Sequence, residues 1–343
     1  MKLLVCTTQV PFARGGSELL AEGLRDALRM RGHDAEIVAL PAAWTPRSNL
    51  IKSALAWRLL DLTQVDGQPV DAIICTKFPS YAARHPRKVV WLVHQHRQAY
   101  DWYGTALSDW GAQEGDANAR DLIRRLDRRT LGEAHKLFAI SRNVAARLRR
   151  FNSLDAQPLY PPSHLLPHLR PGPFGDYILS ISRLDAAKRI DLLLHAFARS
   201  DRTLRLVIAG RGPQAEPLQR LARELGIADR VQFSGFVDDA RAIDLLAGCR
   251  AVYYAPVDED YGFATIEALA AGKPVLTTTD AGGVLEFVRD GDSGLITAPQ
   301  PQALAAQIDR LADVTLAHQL GAANPDLVTN ITWSHVIDTL LPG

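Results

Sequence analysis

Short apolar runs recur along the whole chain and alternate with segments whose apolar residues repeat at helical spacing. The runs are flanked by glycine, proline or polar residues, which is typical of buried parallel strands. They lie at residues 2–8, 35–40, 71–76, 88–93, 136–140, 177–182, 204–209, 231–235, 250–256 and 274–279. This alternation of strand and helix predicts an α/β protein built from parallel sheets.

The apolar pattern falls into two series separated by a proline-rich stretch. Prolines are dense up to Pro173, and helical or strand periodicity is lost there. A length of 343 residues also favours two domains over one. We therefore predict a first domain at 1–160, a linker at 161–173, a second domain at 174–328 and a terminal segment at 329–343.

Composition excludes several classes of protein. The apolar fraction is 47%, the charged fraction 22% and the net charge +1, which indicates a globular protein with no general affinity for nucleic acid. Three widely spaced cysteines favour buried thiols in a reducing compartment. The N-terminus starts as a strand and no apolar run is long enough to span a membrane. The sequence predicts a cytoplasmic protein.

Charge is nevertheless uneven along the chain. Residues 120–150 carry ten arginine and lysine residues against Asp121, Asp127 and Glu133. A solvated helix face is one interpretation of this segment. The other is a patch for an anionic membrane, at the inner face of the plasma membrane, or for a phosphorylated acceptor.

The stretch from Asp258 to Pro274 carries the strongest chemical pattern. Glu259 and Glu267 enclose a turn and the start of a helix, which Gly272 and Pro274 end. A strand precedes this acidic loop and another follows the helix. Such a loop lies at the carboxyl end of a parallel strand, where open α/β sheets bind ligands.

Two other loops of the second domain should converge on the same edge. One places Arg183 and Lys188 just before a helix, and the other is the loop Gly210-Arg211-Gly212-Pro213. Two cations at a helix N-terminus form a diphosphate site without a metal. One glutamate can accept the hydroxyls of a ribose and the other those of a sugar, so the group suits a nucleoside-diphosphate sugar.

The first domain opens with a strand, the pair Gly15-Gly16 and a helix, for which Ser17 is the expected N-cap. This loop lacks the G-x-G-x-x-G dinucleotide pattern. An ordinary tight turn and a loop that approaches a ligand both remain open for Gly15-Gly16. His94 and His96 follow another strand. We favour a function for His94 and a solvated position for His96.

These motifs together resemble family 4, or group 1, of the retaining glycosyltransferases, whose fold is GT-B. The paired glutamates and Tyr261-Gly262-Phe263 match one motif of that family, Arg183 and Lys188 a second, Gly210 to Pro213 a third and Gly15-Gly16 a fourth. The resemblance covers residues 1 to about 300. It implies two Rossmann-like, doubly wound parallel-sheet domains that face each other across a cleft, and a terminal helix, near Trp333, that packs back on the first domain.

The resemblance also implies site roles. A hexose would move from a UDP- or GDP-sugar to a saccharide or lipid-linked acceptor with retention of configuration, without a cofactor or metal, as in surface polysaccharide or glycolipid synthesis. Glu259, His94, Arg183 and Lys188 would be catalytic. Donor binding would use Gly15, Gly16, Arg183, Lys188, Gly210, Arg211, Gly212, Pro213, Phe236, Val237, Glu259, Gly262, Phe263, Ala264, Thr265 and Glu267.

Departures from the family pattern leave alternatives. The family's His-Asp pair is replaced here by a longer loop, so His94 and His96 both remain candidates for contact with the donor sugar. A nucleotide-sugar epimerase on the same fold should lack the paired glutamates, and a phosphorylase needs a longer chain. A non-catalytic nucleotide-sugar-binding protein would show the same binding residues. The sequence does not distinguish donor base, sugar or acceptor.

Overall fold

The computed structural model describes residues 1–12, 15–42, 44–201 and 203–341. This part of the chain folds into two compact units. The first unit contains residues 1–162 and the stretch from Ile331 onward, and the second contains residues 163–330.

The described residues form fourteen strands. They are β1 (Lys2–Gln9), β2 (Asp34–Pro41), β3 (Gln64–Val65), β4 (Gln68–Pro69), β5 (Ala72–Cys75), β6 (Lys88–Leu92), β7 (Lys136–Ala139), β8 (Gln157–Pro158), β9 (Tyr177–Ile181), β10 (Arg205–Ala209), β11 (Val231–Gly235), β12 (Ala251–Tyr253), β13 (Val275–Thr278) and β14 (Gly294–Thr297). Every run predicted as a strand overlaps one of these.

The α-helices alternate with the strands. They are α1 (Gly16–Met30), α2 (Ser48–Leu59), α3 (Asp116–Gly132), α4 (Arg142–Asn152), α5 (Ile190–Phe197), α6 (Ala215–Glu224), α7 (Asp239–Gly248), α8 (Phe263–Ala270), α9 (Pro301–Arg310), α10 (Val314–Gly321) and α11 (Trp333–Leu340). None of the helices in the described residues has both the length and the apolar character needed to cross a bilayer.

The first unit is built on a six-stranded sheet of order β2-β1-β5-β6-β7-β8. All of its neighbouring strands are parallel, with Val5 of β1 level with Ile37 on one side and Ile74 on the other. The residues of β5 are all buried, because helices cover both faces of a parallel sheet. Strands β3 and β4 form a separate antiparallel hairpin.

The second unit repeats this architecture with the order β11-β10-β9-β12-β13-β14. Its strands are again all parallel. Leu193 of α5 and Leu304 of α9 are fully buried against the sheet residues Leu206 and Ile208 in one core. This is the strand order of a doubly wound Rossmann-like sheet.

Helix α11 belongs to the first unit although it ends the described chain. The Trp333 ring packs against Gly23 of α1, where an added Cβ would lie 2.6 Å from the ring. Trp333 also meets Trp91 edge to face at 6.2 Å, and Arg31 pairs with Asp338. A glycine in the middle of α1 is therefore what admits the indole.

Much of the stretch predicted as a linker lies within the second unit. The Lys273 ammonium donates to the carbonyls of Gly172 and Pro173, both at 2.8 Å. A Cβ on Gly172 would lie 2.6 Å from the Ala247 carbonyl oxygen. The proline density indicated that regular structure is absent here. It does not indicate which side chains of the second unit bind this segment.

Candidate functional site

The acidic loop follows β12, one of the two neighbouring strands between which the strand order of the second sheet reverses. β9 and β12 are neighbours, with Leu179 level with Val252, but the chain continues from β9 towards β10 and from β12 towards β13. The loops that follow these two strands therefore diverge and leave a crevice at their carboxyl ends. In open α/β sheets this switch point is the usual ligand site.

Lys188 and Glu259 come from these two loops and form an ion pair. The hydroxyl of Tyr254 completes the group: it donates to Oε2 of Glu259 at 2.9 Å and accepts from Nζ of Lys188 at 3.1 Å. Both charged side chains are less than one fifth exposed. The sequence predicted that the loops carrying Lys188 and Glu259 lie at the same edge of the sheet. Tyr254 was not among the predicted residues.

The Lys188 ammonium stays charged in this setting. Burial alone would lower its pKa, but the Tyr254 and Glu259 oxygens outweigh burial and raise that pKa well above its ordinary value. Burial also raises the pKa of the Tyr254 hydroxyl, which therefore remains a proton donor. The site thus holds a permanent cation beside a carboxylate.

Glu267 lies on the buried side of α8, with 9% of its surface exposed. Burial raises the pKa of its carboxyl group, while a 2.5 Å hydrogen bond from the Ser163 hydroxyl acts in the opposite direction. Ser163 belongs to the proline-rich stretch and was not predicted. This hydrogen bond fixes one carboxylate oxygen of Glu267.

Helix α8 begins at a tight turn centred on Gly262, whose φ is +86°. A Cβ there would lie 2.8 Å from the Tyr254 ring, so this turn requires glycine. Phe263, Ala264 and Thr265 form the first turn of the helix, where backbone N–H groups lack intrahelical acceptors. This helix start therefore lies beside the Lys188–Glu259–Tyr254 group.

The loop Gly210-Arg211-Gly212-Pro213 packs closely on the loop that follows β9. A Cβ on Gly210 would lie 1.8 Å from the Ser182 carbonyl oxygen, and one on Gly212 would lie 2.2 Å from that of Leu184. The Leu184 N–H donates to the Arg211 carbonyl at 2.9 Å. The two glycines thus allow the predicted convergence of these loops.

Arg211 also reaches the loop after β11. Its guanidinium lies 5.4 Å from the centre of the Phe236 ring, which is 66% exposed. Phe236 and Val237 line a cavity of about 360 Å³ together with polar residues. Its other lining residues are Gln232, Ser234, Asp238 and Arg241. An exposed aromatic ring beside polar groups can stack on a planar base.

Arg183 is exposed at the same edge of the sheet. Within the described residues its side chain makes no ion pair or hydrogen bond, so its charge is available to a ligand. Lys188, by contrast, is already engaged with Glu259. The two predicted phosphate ligands therefore differ in how far they are preorganised.

In the first unit, the glycine loop lies at the corresponding switch point, between β1 and β5. α1 begins at Gly16 with Gly15 as the N-cap, so the expectation that Ser17 caps the helix is wrong. Instead Glu18 accepts from the Gly15 N–H at 2.9 Å, and the Ser17 hydroxyl accepts from Lys77 at 2.7 Å. Gly15 has an extended φ of −151°, so no left-handed conformation demands glycine here.

Lys77 follows β5 and was not predicted. Its ammonium also contacts Oε1 of Glu18 at 2.6 Å, and 7% of its side chain is exposed. The pair lowers the pKa of Glu18, against the opposing effect of burial. The loop after β1 and the loop after β5 are thereby joined by one buried ion pair.

His94 and His96, which the sequence left as alternative candidates for contact with the donor sugar, differ in their surroundings. His96 packs among aromatic rings, 5.5 Å from Trp44 and from Phe78 and 5.3 Å from Trp110. Burial lowers its pKa to about 4, so the ring is neutral. The expectation of a solvated His96 is thus wrong. His94 is half-buried, with Nδ1 2.9 Å from the Gln95 carbonyl oxygen.

The basic segment 120–150 contains both structural and exposed arginines. Arg147 is buried with its Nε 3.5 Å from Asp101, and Arg124 donates to the Ala99 carbonyl at 2.8 Å. The arginines that remain exposed are Arg125, Arg128, Arg129, Arg142, Arg149 and Arg150. Two of these six already lie near carboxylates, Arg129 at 3.7 Å from Glu133 and Arg149 at 3.3 Å from Asp155.

Known proteins resemble this chain in sequence and in fold. Residues 174–324 match the family described as glycosyl transferases group 1. The D-inositol 3-phosphate glycosyltransferase of Nocardia farcinica is 30% identical over 267 residues, which are 69% of this chain and 58% of that protein. This chain therefore spans little more than half the length of that relative.

Solved structures show the same fold over nearly the whole chain. Sucrose-phosphate synthase from Thermosynechococcus elongatus matches with a TM-score of 0.78 at 20% identity, over 98% of this chain and 96% of that one. Anabaena Alr3699/HepE, solved in complex with UDP and glucose, matches with a TM-score of 0.69 at 19% identity, over 99% of both chains. The predicted GT-B fold is confirmed, and the resemblance to the group 1 glycosyltransferases is confirmed over residues 174–324.

Proposed function

We propose that this protein is a retaining glycosyltransferase that moves a hexose from a UDP- or GDP-sugar to a saccharide or lipid-linked acceptor. The observation that carries the proposal is the partly buried Lys188–Glu259–Tyr254 group at the switch point of the second sheet. It combines a permanent cation with a preorganised carboxylate beside a helix N-terminus. A diphosphate and a sugar that are joined to each other need this combination.

The diphosphate would lie between Arg183, Lys188 and the first turn of α8. Arg183 is exposed and can close on the phosphate, whereas Lys188 is already held in place. As the bond between the anomeric carbon and the phosphate oxygen breaks, negative charge grows on the leaving diphosphate. Two cations and the helix N-terminus stabilise that charge without a metal.

The two glutamates would hold the two sugars of the donor. Glu267 is buried, and Ser163 leaves its second carboxylate oxygen available for the ribose hydroxyls. Glu259 would accept from the hydroxyls of the transferred hexose. Glu259 already pairs with Lys188, and a carboxylate is a stronger hydrogen-bond acceptor than a neutral oxygen.

Transfer would proceed on one face of the anomeric carbon. The acceptor oxygen forms its bond to that carbon on the side from which the diphosphate leaves, and its proton passes to the departing phosphate oxygen. The products are a glycoside of unchanged anomeric configuration and UDP or GDP. His94 is the first-unit residue that we expect to contact the donor sugar.

The base would stack on Phe236 beside Arg211, next to the backbone of Val237. This arrangement accommodates a planar ring without a unique hydrogen-bond code, so it suits both uracil and guanine. The bound UDP and glucose of the Anabaena structure support a uridine nucleotide and a hexose as the first donors to test. Surface polysaccharide or glycolipid synthesis is the process that we propose for the product.

The decisive experiment is incubation with radiolabelled UDP- and GDP-sugars and a panel of acceptors that includes saccharides, inositol phosphate and lipid-linked sugars. We expect UDP or GDP release and label transfer, both lost in Glu259→Ala. Glu224→Ala is the matched control, because Glu224 is an exposed residue at the end of α6. Binding without turnover across the panel would instead indicate a non-catalytic nucleotide-sugar-binding protein, and interconversion of free nucleotide sugars would indicate an epimerase.

We also propose that the six exposed arginines of segment 120–150 contact anionic membrane or a phosphorylated acceptor. Arg129 and Arg149 pair with Glu133 and Asp155, but the segment as a whole carries ten basic residues against three acidic ones. Flotation with anionic liposomes at low salt should carry the protein upward. Absence of co-flotation would remove the membrane from this proposal.

A further inference from the structure

Arg189, the residue directly after Lys188, has an unusual backbone conformation. It lies between a 3-10 turn at Ala186–Lys188 and helix α5, with a φ of +51° and a ψ of +44°. This left-handed region is unfavourable for a side chain with a Cβ and is usually occupied by glycine. A long arginine at such a position therefore needs compensating interactions from its surroundings.

The guanidinium of Arg189 supplies those interactions by joining two other loops. Nε donates to the Ala255 carbonyl at 2.7 Å, and Nη2 donates to that of Pro256 at 3.0 Å. Nη1 and Nη2 bind the two carboxylate oxygens of Asp280 at 2.9 and 2.8 Å. Nη2 also lies 2.7 Å from the Thr278 hydroxyl oxygen.

The backbone of Arg189 is held as well. Its carbonyl oxygen accepts from the Tyr253 hydroxyl at 3.0 Å. The neighbouring Ala187 carbonyl accepts from the Val257 N–H at 2.9 Å, and the Asp280 carbonyl accepts from the Asp258 N–H at 2.9 Å. Arg189 therefore lies at the centre of a network that joins the loops after β9, β12 and β13.

These contacts bear directly on the Lys188–Glu259 pair. Lys188 precedes Arg189 by one residue, and Glu259 follows the Pro256 carbonyl by three. The loops that carry Lys188 and Glu259 leave neighbouring strands in opposite directions, so contacts that join these loops help to set the distance between the two groups. The planar guanidinium joins these loops through its hydrogen bonds to the Ala255 and Pro256 carbonyls and its bidentate contact with Asp280. A lysine cannot reproduce this set of contacts.

We propose that Arg189 is a positioning residue: it holds the Glu259 loop at the distance from Lys188 that the donor sugar requires. This inference rests on the proposed glycosyltransferase function. Arg189 is not a further phosphate ligand, because its hydrogen bonds leave at most one Nη1 N–H for a ligand. Its effect should therefore fall on alignment of the sugar, not on affinity for the free nucleotide.

The test compares Arg189→Ala, Arg189→Lys and Asp280→Asn with wild type. Arg205→Ala is the matched control, since Arg205 makes a bidentate pair with Asp176 that is about 60% exposed at the opposite edge of the same sheet. We measure kcat and KM for the donor, the Kd of UDP or GDP by calorimetry, and hydrogen exchange of residues 255–262. Methylguanidinium is then added to Arg189→Ala.

We expect kcat of Arg189→Ala to fall about tenfold or more, because small misplacements of reacting groups cost up to about 100-fold. The Kd of the free nucleotide should stay within about threefold, exchange of residues 255–262 should accelerate, and methylguanidinium should restore part of kcat. Arg189→Lys and Asp280→Asn should follow in the same direction, with Arg205→Ala unchanged. These two variants answer the question if Arg189→Ala does not fold.

Unchanged kcat, or equal losses in kcat and nucleotide affinity, would overturn the positioning role. So would exchange of residues 255–262 at the wild-type rate. Failure of the proposed function gives a different result: wild type itself would then turn over no nucleotide sugar. The exchange measurement is made on the ligand-free protein and therefore tests the contact network in either case.

Discussion

The Ser163 hydroxyl donates a 2.5 Å hydrogen bond to Oε1 of Glu267, the buried carboxylate of α8. The two residues are 104 positions apart in the chain. Ser163 also accepts from the Leu165 N–H at 3.2 Å, which fixes the hydroxyl within its own turn. A segment without regular structure thus orients the group that we assign to the ribose.

Ser163→Ala should weaken binding of UDP or GDP by roughly tenfold, because a buried carboxylate loses one charge-assisted hydrogen bond. Burial already raises the pKa of Glu267, and Ser163 opposes that rise. Affinity should therefore fall as the pH decreases through this pKa, and the fall should begin at higher pH in Ser163→Ala. Calorimetric Kd values over a pH series measure both effects.

Ser200→Ala is the control for this experiment, because Ser200 is a buried serine at the end of α5 that donates to the Phe197 carbonyl at 2.9 Å. Its nucleotide affinity should match that of wild type at every pH. Identical pH profiles for wild type and Ser163→Ala would show that the ribose does not use Glu267.

Lys188→Ala and Glu259→Ala should separate nucleotide binding from transfer. Removal of Lys188 deletes a phosphate ligand, and free UDP or GDP should bind at least about tenfold more weakly. Removal of Glu259 releases Lys188 from its partner, so nucleotide affinity should be kept or improved while kcat falls about 100-fold. Equal nucleotide affinity of wild type and Lys188→Ala in calorimetry would contradict the phosphate assignment.

Transfer should not depend on a divalent cation, since Arg183, Lys188 and the N-terminus of α8 supply the positive charge. Dialysis against EDTA should leave kcat unchanged, and added Mg²⁺ or Mn²⁺ should not raise it more than about twofold. A loss of transfer in EDTA that Mg²⁺ or Mn²⁺ restores would show that these charges are insufficient. Metal-free assay buffers with a range of ionic strengths control for screening.

The parts of the site that follow strand ends could be predicted from the sequence. Lys188, Glu259 and the loop from Gly210 to Pro213 each follow an apolar run, and the carboxyl ends of parallel strands share one edge. Their convergence needed only the assumption of a single sheet. The strand order that makes this edge a switch point was not needed for the prediction.

The supporting residues could not be predicted, because each acts through a contact that no local pattern encodes. Tyr254 ends an ordinary apolar run, Ser163 lies in a proline-rich stretch and Arg189 is one arginine among many. Strand β14 has only four residues and lies outside the predicted runs. A signal for Arg189 exists only in its left-handed φ, which the structure alone reveals.

The first unit contains a buried carboxylate whose ionisation should control its stability. Asp127 of α3 is fully buried, and burial raises its pKa to about 7 although the Tyr100 hydroxyl donates to it at 2.7 Å. In the unfolded chain the pKa is about 3.9. The folded unit therefore binds an extra proton at Asp127 between these values, and the contribution of Asp127 to the free energy of unfolding should decrease as the pH rises from about 4 to 7.

Asp127→Asn keeps the acceptor for Tyr100 and removes the ionisation. The variant should match wild type near pH 4 and exceed it at pH 8, by up to about 4 kcal/mol in the free energy of unfolding. All six tryptophans lie in the stretches 1–162 and 331–341, so tryptophan fluorescence during urea unfolding reports on the first unit alone. Asp121→Asn is the control, because Asp121 lies on the same helix with its side chain half exposed.

The ionisation of His96 should have the opposite effect on the free energy of unfolding in the same pH range. Burial holds its pKa at about 4, below the ordinary value of about 6.5, so its contribution is complete above pH 6.5 and is lost as the pH falls towards 4. The free energy of unfolding of wild type should thus change little with pH. It should rise with pH in Asp127→Asn and fall with pH in His96→Phe. Parallel profiles for the three proteins would show that neither group is held in the ionisation state that its burial demands.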